Sequence, residues 1–191
     1  MAVDEHKSFA PPEQAIHVAV ISVSDSRTWE TDEGGRLIQT LAEAAGFAVV
    51  GRELIPDEPV VIRTRVRHFV AAGGIDAILL TGGTGVAPRD TTVDALAPLF
   101  ERRLDGFGEL FRMLSFAEIG PAAMLSRAAA GIVGGVAVFL MPGSPAGVRL
   151  ALEKLILPEL AHLVGQLRRH PSGPAPASGG SSPSSPGHHR H

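Results

Sequence analysis

The chain has 191 residues, of which 45% are hydrophobic and 19% are charged, and it carries a formal net charge of −3 and no cysteine. This slight acidity argues against a nucleic-acid-binding protein, and the lack of cysteine excludes disulfides, thiolate nucleophiles and cysteine-bound zinc. Because neither a signal peptide nor a membrane-spanning stretch is recognisable, we expect a cytoplasmic protein that does not contact membranes.

Strand and helix patterns alternate through the first half of the chain. A buried strand is predicted over residues 16–24, followed by a helix over 34–45. A second strand over 47–55 and a helix over 60–72 form the next unit. The nearly continuous apolar run over 75–81 predicts a third strand that is buried on both faces of a sheet. The predicted order is therefore β-α-β-α-β.

A glycine-rich loop follows the third predicted strand directly. Gly82, Gly83 and Gly85 lack side chains, which lets backbone N–H groups converge on a ligand beside the start of the next helix. The P-loop and dinucleotide fingerprints are absent. Arg89 instead supplies a fixed cation suited to phosphate, and Asp90 a hard oxygen ligand suited to Mg²⁺. The run favours an anion site, with a plain strand-to-helix turn as the alternative.

The next two elements are predicted as helices. Thr91 and Asp94 are spaced like the two members of a capping box, which predicts a helix over residues 92–100. A further helix is predicted over 106–114, where apolar residues recur at i, i+3, i+4 and i+7. This apolar stripe indicates either a core-facing surface or a subunit contact.

The end of the folded region is predicted as a hairpin and a helix. Strands over 127–133 and 136–141 are joined by two glycines, which predicts an antiparallel edge on the sheet. The last helix, over 146–167, is expected to be interrupted or kinked at Pro158. The domain organisation is thus predicted as a flexible N-terminal extension (1–15), a single domain (16–168) and a disordered Pro/Ser/Gly-rich tail (169–191).

Six short motifs occur in order along the chain: Val23-Ser24-Asp25-Ser26-Arg27, Ile55-Pro56-Asp57-Glu58, Leu80-Thr81-Gly82-Gly83-Thr84-Gly85 with Arg89-Asp90, Gly106-Phe107-Gly108-Glu109, Leu125-Ser126-Arg127, and Met141-Pro142-Gly143-Ser144-Pro145. With these motifs the chain resembles the molybdenum cofactor biosynthesis protein B and Mog proteins, which share the molybdopterin-binding domain fold. The resemblance extends from residue 18 to about residue 163 and is closer to the B branch.

The resemblance implies a fold and a function. Family members are three-layer α/β/α proteins with a mostly parallel sheet, and they form homotrimers or hexamers. They bind molybdopterin, a pterin with a dithiolene and a terminal phosphate, and the Mog branch adenylylates that phosphate with ATP and Mg²⁺. Partners implied for this chain are molybdopterin, ATP and other molybdenum cofactor biosynthesis proteins. A non-catalytic molybdopterin-binding protein is the alternative, and a nucleotide-binding α/β domain unrelated to molybdenum is a third interpretation.

The resemblance also implies roles for individual residues. Asp57 and Asp90 are the predicted catalytic and Mg²⁺-binding pair, with capping of the next helix as the alternative for each. Asp25 would recognise a ring edge or cap a turn, and Glu109, Ser126 and Arg127 would serve the site or an interface ion pair. The residues predicted to bind substrate or nucleotide are Ser24, Asp25, Gly82, Gly83, Thr84, Gly85, Arg89, Glu109, Ser115, Ser126, Arg127, Pro142, Gly143, Ser144 and Pro145.

Overall fold

The structure, a computed structural model, describes residues 16–169. The predicted extension and, beyond Arg169, the predicted tail lie outside the described residues. The strands are β1 (His17–Val23), β2 (Ala48–Ile55), β3 (Ala77–Thr81), β4 (Arg102–Arg103), β5 (Ala129–Val133) and β6 (Val136–Met141). The helices are α1 (Glu33–Ala44), α2 (Pro59–Ala72), α3 (Thr92–Leu96), α4 (Asp105–Ile119), α5 (Pro145–Ala151) and α6 (Leu157–Arg169).

The six strands form one mixed sheet in the order β2-β1-β3-β6-β5-β4. Strands β2, β1, β3 and β6 run parallel, while β5 pairs antiparallel with β6 and with β4. The predicted parallel sheet with an antiparallel edge hairpin is confirmed. Strand β4 was not predicted, because it consists of two exposed arginines that show no apolar alternation.

Helices cover both faces of the sheet. On one face Val20 and Leu79 pack in a core with Ile38 of α1 and Phe111 of α4, and α5 and α6 add to this side. The opposite face carries a second core, to which β1 contributes Ile21. Its covering residues come from α2 and α3. Successive residues of β1 therefore face different cores, and the predicted three-layer α/β/α architecture is confirmed.

Two prolines set helix boundaries in the second half. Helix α3 ends at Leu96 and continues as a 3₁₀ turn, Ala97–Leu99, so the helix predicted over 92–100 is too long. Pro98 lacks the N–H that an α-helical bond would need. The predicted interruption near Pro158 is confirmed, since a π-helical turn, Leu152–Ile156, separates α5 from α6. A wider turn at this point accommodates the missing N–H of Pro158.

The predicted capping box at α3 is wrong. The side chain of Thr91 makes no capping hydrogen bond, and its hydroxyl donates instead to Oδ1 of Asp57 at 2.6 Å. Asp94 pairs with Arg127. Helix α4 is also longer than predicted. The predicted helix ends at residue 114, whereas α4 continues to Ile119. Among the described residues, no helix is both long and apolar enough to cross a membrane.

Candidate functional site

A cleft of about 350 Å³ lies at the carboxyl ends of the parallel strands. Strand β1 is followed in the chain by β2 on one side and then by β3 on the other, and ligands bind beside such a switch point in open α/β sheets. The cleft is lined by these predicted site residues: Ser24, Asp25, Asp57, Gly82, Gly83, Thr84, Gly85, Arg89, Asp90, Ser126, Pro142, Gly143 and Ser144.

Four other predicted residues are not among those that line the cleft. Glu109 is exposed on α4, Ser115 is buried in the same helix, and Pro145 is the first residue of α5. Arg127 contacts the loop after β3 from outside the cleft lining. A role for these four residues in ligand binding stays a prediction.

Asp57 and Asp90 bring two carboxylates to the same cleft. Oδ1 of Asp57 accepts hydrogen bonds from the backbone N–H of Thr91 at 3.2 Å and from the Thr91 hydroxyl at 2.6 Å. Oδ2 of Asp90 accepts one from the N–H of Ala87 at 2.8 Å. Neither residue is the N-cap of the helix that follows it, because Glu58 and Thr91 occupy those positions. The helix-capping alternative is therefore wrong for both carboxylates.

One oxygen of each carboxylate remains available for a ligand. Within the part of the chain that the structure describes, no hydrogen bond reaches Oδ2 of Asp57 or Oδ1 of Asp90. The described residues also contain no cluster of three or more histidine, cysteine or acidic side chains suited to a metal. Mg²⁺ commonly takes one or two carboxylates and fills its other positions with water and phosphate oxygens. Both carboxylates line one cleft, as such a site requires, and the Mg²⁺ role stays a prediction.

Two glycines allow the loop after β3 to pass close to the end of β1 and to Asp57. Gly82 and Gly83 have positive φ values of 105° and 65°. A Cβ on Gly82 would overlap the backbone carbonyl of Val23, and one on Gly83 would lie 2.7 Å from Oδ2 of Asp57. Side chains are thus excluded where the loop after β3 crosses the end of β1. The loop presents backbone and small polar groups to the cleft.

The loop after β1 is folded by its own polar groups. Ser24 Oγ accepts hydrogen bonds from the N–H groups of Ser26 and Arg27 at 3.3 and 3.1 Å. Oδ1 of Asp25 accepts one from the N–H of Asp57 at 2.8 Å, so this side chain joins the loops after β1 and β2. Recognition of a ring edge by Asp25 stays a prediction.

Arg27 is a cleft residue that was absent from the predicted site. Its Nη2 donates to the carbonyl of Gly143 at 2.7 Å, and within the described residues it forms no ion pair with a carboxylate. An arginine without a carboxylate partner in a cleft favours an anionic ligand. The one signal in the sequence for Arg27 as a site residue was its position in the motif after β1. Its hydrogen-bond partner Gly143 lies 116 residues away, so the sequence did not indicate this contact.

A buried ion pair between Asp32 and Arg52 lies where the loop after β1 leads into α1. Asp32, which is fully buried, accepts hydrogen bonds from the Ser22 hydroxyl at 2.8 Å, Gly35 N at 3.0 Å and Arg52 Nη2 at 2.9 Å. The Arg52 guanidinium also lies 4.2 Å from the ring centroid of Trp29. Burial raises the pKa of Asp32, but these hydrogen bonds and the charge of Arg52 outweigh it and hold the pKa below its ordinary value.

Replacing Asp32 by alanine is expected to lower the free energy of unfolding by about 3 kcal/mol at neutral pH, because Arg52 loses its buried counter-charge. Since the pKa is lowered on folding, ionised Asp32 stabilises the fold above its unfolded pKa of about 4, and this contribution is lost as pH falls through the folded pKa. Urea unfolding at neutral and acidic pH measures both effects.

The control for this experiment is Asp105→Ala, which removes one partner of an exposed ion pair with Arg103. This change is expected to cost no more than about 1 kcal/mol at neutral pH. Equal losses in the two variants would contradict a special role for the buried pair, as would an Asp32 effect that grows in acid.

The chain is similar to known proteins over most of its length. The family described as a probable molybdopterin binding domain matches residues 19–162. The molybdenum cofactor biosynthesis protein B of Bacillus subtilis (strain 168) is 48% identical over 170 residues, which are 88% of this chain and 99% of that protein. The matched range includes every loop that lines the cleft.

Solved structures show the same similarity. A crystal structure of a molybdenum cofactor biosynthesis protein B is 42% identical, with a TM-score of 0.81, over 84% of this chain and 100% of that one. The tungsten cofactor synthesizing protein MoaB from Pyrococcus furiosus is 34% identical, with a TM-score of 0.74, over 83% of this chain and 99% of that one. The fold is therefore shared with these proteins over most of the chain.

Proposed function

The chain belongs to the molybdenum cofactor biosynthesis protein B family, and from that membership we propose that it binds molybdopterin and adenylylates its terminal phosphate with ATP and Mg²⁺. The observation that carries this proposal is the placement of Asp57 and Asp90 on one cleft beside the glycine loop. Paired carboxylates and a glycine loop are suited to phosphate transfer, in which the protein mainly positions groups and neutralises charge.

In the proposed reaction an oxygen of the molybdopterin phosphate attacks the α-phosphorus of ATP. A new P–O bond forms, the bond from the α-phosphorus to the bridging oxygen breaks, and pyrophosphate leaves with that electron pair. Asp57 Oδ2 and Asp90 Oδ1 would hold Mg²⁺, which when bound neutralises charge on the reacting phosphates. Hydrogen bonds from Thr91 and from the N–H of Ala87 hold the other oxygen of each carboxylate, which supports this assignment.

Other cleft residues supply groups that bind anions. Arg89 is exposed at the cleft, and in the described part of the chain it has neither a hydrogen bond nor an ion pair. Arg27 offers a second cation beside Gly143. Thr84 is 3% exposed, and its hydroxyl has no hydrogen-bond partner among the described residues. These groups support the binding of two phosphate-bearing ligands in one cleft.

A non-catalytic molybdopterin-binding protein is the second candidate. It is favoured by the hydrogen bonds that Asp57 and Asp90 already make, because these bonds connect the loop after β2 to α3 and close the turn at Ala87. Carboxylates with such structural tasks would be retained even in a protein that only binds the pterin.

One assay separates the two candidates. The purified protein is incubated with molybdopterin, ATP and Mg²⁺, and adenylyl-molybdopterin and pyrophosphate are quantified. Formation of both products in equal amounts supports the enzyme. Binding of molybdopterin without any ATP-dependent product supports the second candidate, and the lack of both binding and product rejects the two together. Omission of Mg²⁺ tests the metal requirement in the same series.

We also propose that the protein forms a homotrimer or a hexamer. On helix α4 and the turn after it, Met113, Phe116, Ile119, Met124 and Leu125 are 53–78% exposed. Adjacent large apolar side chains in such numbers are typical of a surface that another protein covers. A second copy of the chain is the expected partner, and other molybdenum cofactor biosynthesis proteins would supply the pterin and accept the product.

Light scattering at micromolar concentration is expected to give the mass of a trimer or a hexamer for the wild type and a smaller mass for Phe116→Glu, which places a charge in the contact. Val60→Glu is the matched control, because Val60 is 66% exposed on α2, which packs on the opposite face of the sheet. A monomeric wild type, or an unchanged mass for Phe116→Glu, would contradict the proposal.

A further inference from the structure

Arg127 connects two ends of the loop that carries Asp90. Its Nε donates to the carbonyl of Gly85 at 2.7 Å, and its Nη2 donates to the carbonyl of Asp90 at 2.6 Å. The backbone N–H of Arg127 also donates to the carbonyl of Thr84 at 2.9 Å. Three hydrogen bonds from one residue thus bind the loop where it begins and where it ends.

The same guanidinium binds the helix that follows the loop. Nη1 donates to both carboxylate oxygens of Asp94 at 3.0 Å, and Asp94 lies in the first turn of α3. The planar guanidinium reaches these acceptors with N–H groups in fixed directions, which the single ammonium of lysine does not provide. The charge of Arg127 is compensated within the chain by Asp94.

The other hydrogen bonds that Asp90 itself makes are local. Its side chain accepts from the N–H of Ala87, and its own N–H donates to the carbonyl of Ala87 at 2.9 Å, so both bonds stay within the turn. Val86 and Arg89, which precede Asp90, are exposed, whereas Thr91, which follows it, is bound to Asp57 through its N–H and its hydroxyl. Of the hydrogen bonds that Asp90 makes among the described residues, the one from Arg127 alone fixes this turn to a distant part of the fold.

We propose that Arg127 is a positioning residue, which holds the loop over residues 84–90 so that the Asp90 carboxylate faces the cleft, and which does not itself bind substrate. The effect of Arg127 on kcat rests on the proposed function, whereas its effect on the conformation of the loop does not. Direct binding of substrate or nucleotide by Arg127, one of the roles predicted from the sequence, is the alternative that the experiment separates from it.

The experiment compares Arg127→Lys with Arg103→Lys, a control in an exposed ion pair with Asp105, neither residue of which lines the cleft. Amide hydrogen exchange over residues 84–92 is expected to be faster in Arg127→Lys and unchanged in Arg103→Lys. In the adenylylation assay kcat is expected to fall on the order of tenfold to a hundredfold, with KM for molybdopterin and for ATP within about twofold. Asp94→Asn is expected to show a smaller increase in exchange over residues 84–92 and a smaller decrease in kcat.

Different outcomes overturn different statements. Unchanged exchange over residues 84–92 in Arg127→Lys overturns the positioning role, whether or not the wild type is active. A raised KM with an unchanged kcat also overturns it and supports direct substrate binding. A wild type without adenylylation refutes the catalytic proposal alone, because the exchange measurement still tests the loop. If Arg127→Lys fails to fold, Asp94→Asn supplies the same comparison, and unchanged exchange there overturns the inference.

Discussion

Replacing Asp90 by asparagine is expected to lower the rate of adenylylation on the order of a hundredfold or more, while the affinity for molybdopterin is largely retained. The change keeps the volume of the side chain and removes the negative charge that a bound cation requires. The amide oxygen of asparagine can still accept the hydrogen bond from the N–H of Ala87, so the free energy of unfolding should change by no more than about 1 kcal/mol.

Three measurements test this expectation. Single-turnover kinetics give the rate, calorimetric titration gives molybdopterin affinity, and urea unfolding gives stability. Asp105→Asn is the matched control, because it makes the same chemical change in an exposed ion pair outside the cleft lining. Asp90 has no role in the reaction if adenylylation is untouched by the substitution. A protein that unfolds would show instead that the hydrogen bond to Ala87 is the main contribution of this carboxylate.

The features that local sequence patterns predicted well are those that depend on neighbours in the chain. Strands β1 and β3 are largely apolar, buried runs, and each is followed by a loop motif that lines the cleft. Parallel strands bring their carboxyl ends to one edge, so motifs that are separated in sequence meet there. The family resemblance supplied the predicted residues, and the order of the strands explains why most of them line one cleft.

The features that were missed depend on contacts between distant residues. Thr91 and Asp94 match the spacing of a capping box, but Thr91 instead binds Asp57, 34 residues away, and Asp94 binds Arg127, 33 residues away. These tertiary partners replaced the local bond that the spacing suggested. Strand β4 likewise exists through its pairing with β5, and its own residues carry no strand pattern. Patterns among neighbouring residues in the sequence do not identify such distant partners.

The second large effect is expected from Gly82→Ala, which should lower the free energy of unfolding by about 3 kcal/mol or more. Gly82 has a φ of 105°, and its N–H donates to the carbonyl of Met141 at 3.1 Å, which fixes the backbone at the end of β3. A Cβ would overlap the carbonyl of Val23, a main-chain atom of the neighbouring central strand. Neither strand can withdraw without breaking sheet hydrogen bonds.

Two matched glycines separate the causes of this effect. Gly73 also has a positive φ, of 72°, but a Cβ there meets nothing within 4 Å, so Gly73→Ala measures the conformational cost alone, about 1 kcal/mol or somewhat more. Gly106 lies in α4 with open space around it, and Gly106→Ala should be neutral or slightly stabilising. Urea unfolding of the three variants gives the comparison. If Gly82→Ala loses no more stability than Gly73→Ala, the close approach of β3 to β1 does not constrain the cleft, because the loop can then move away from Val23.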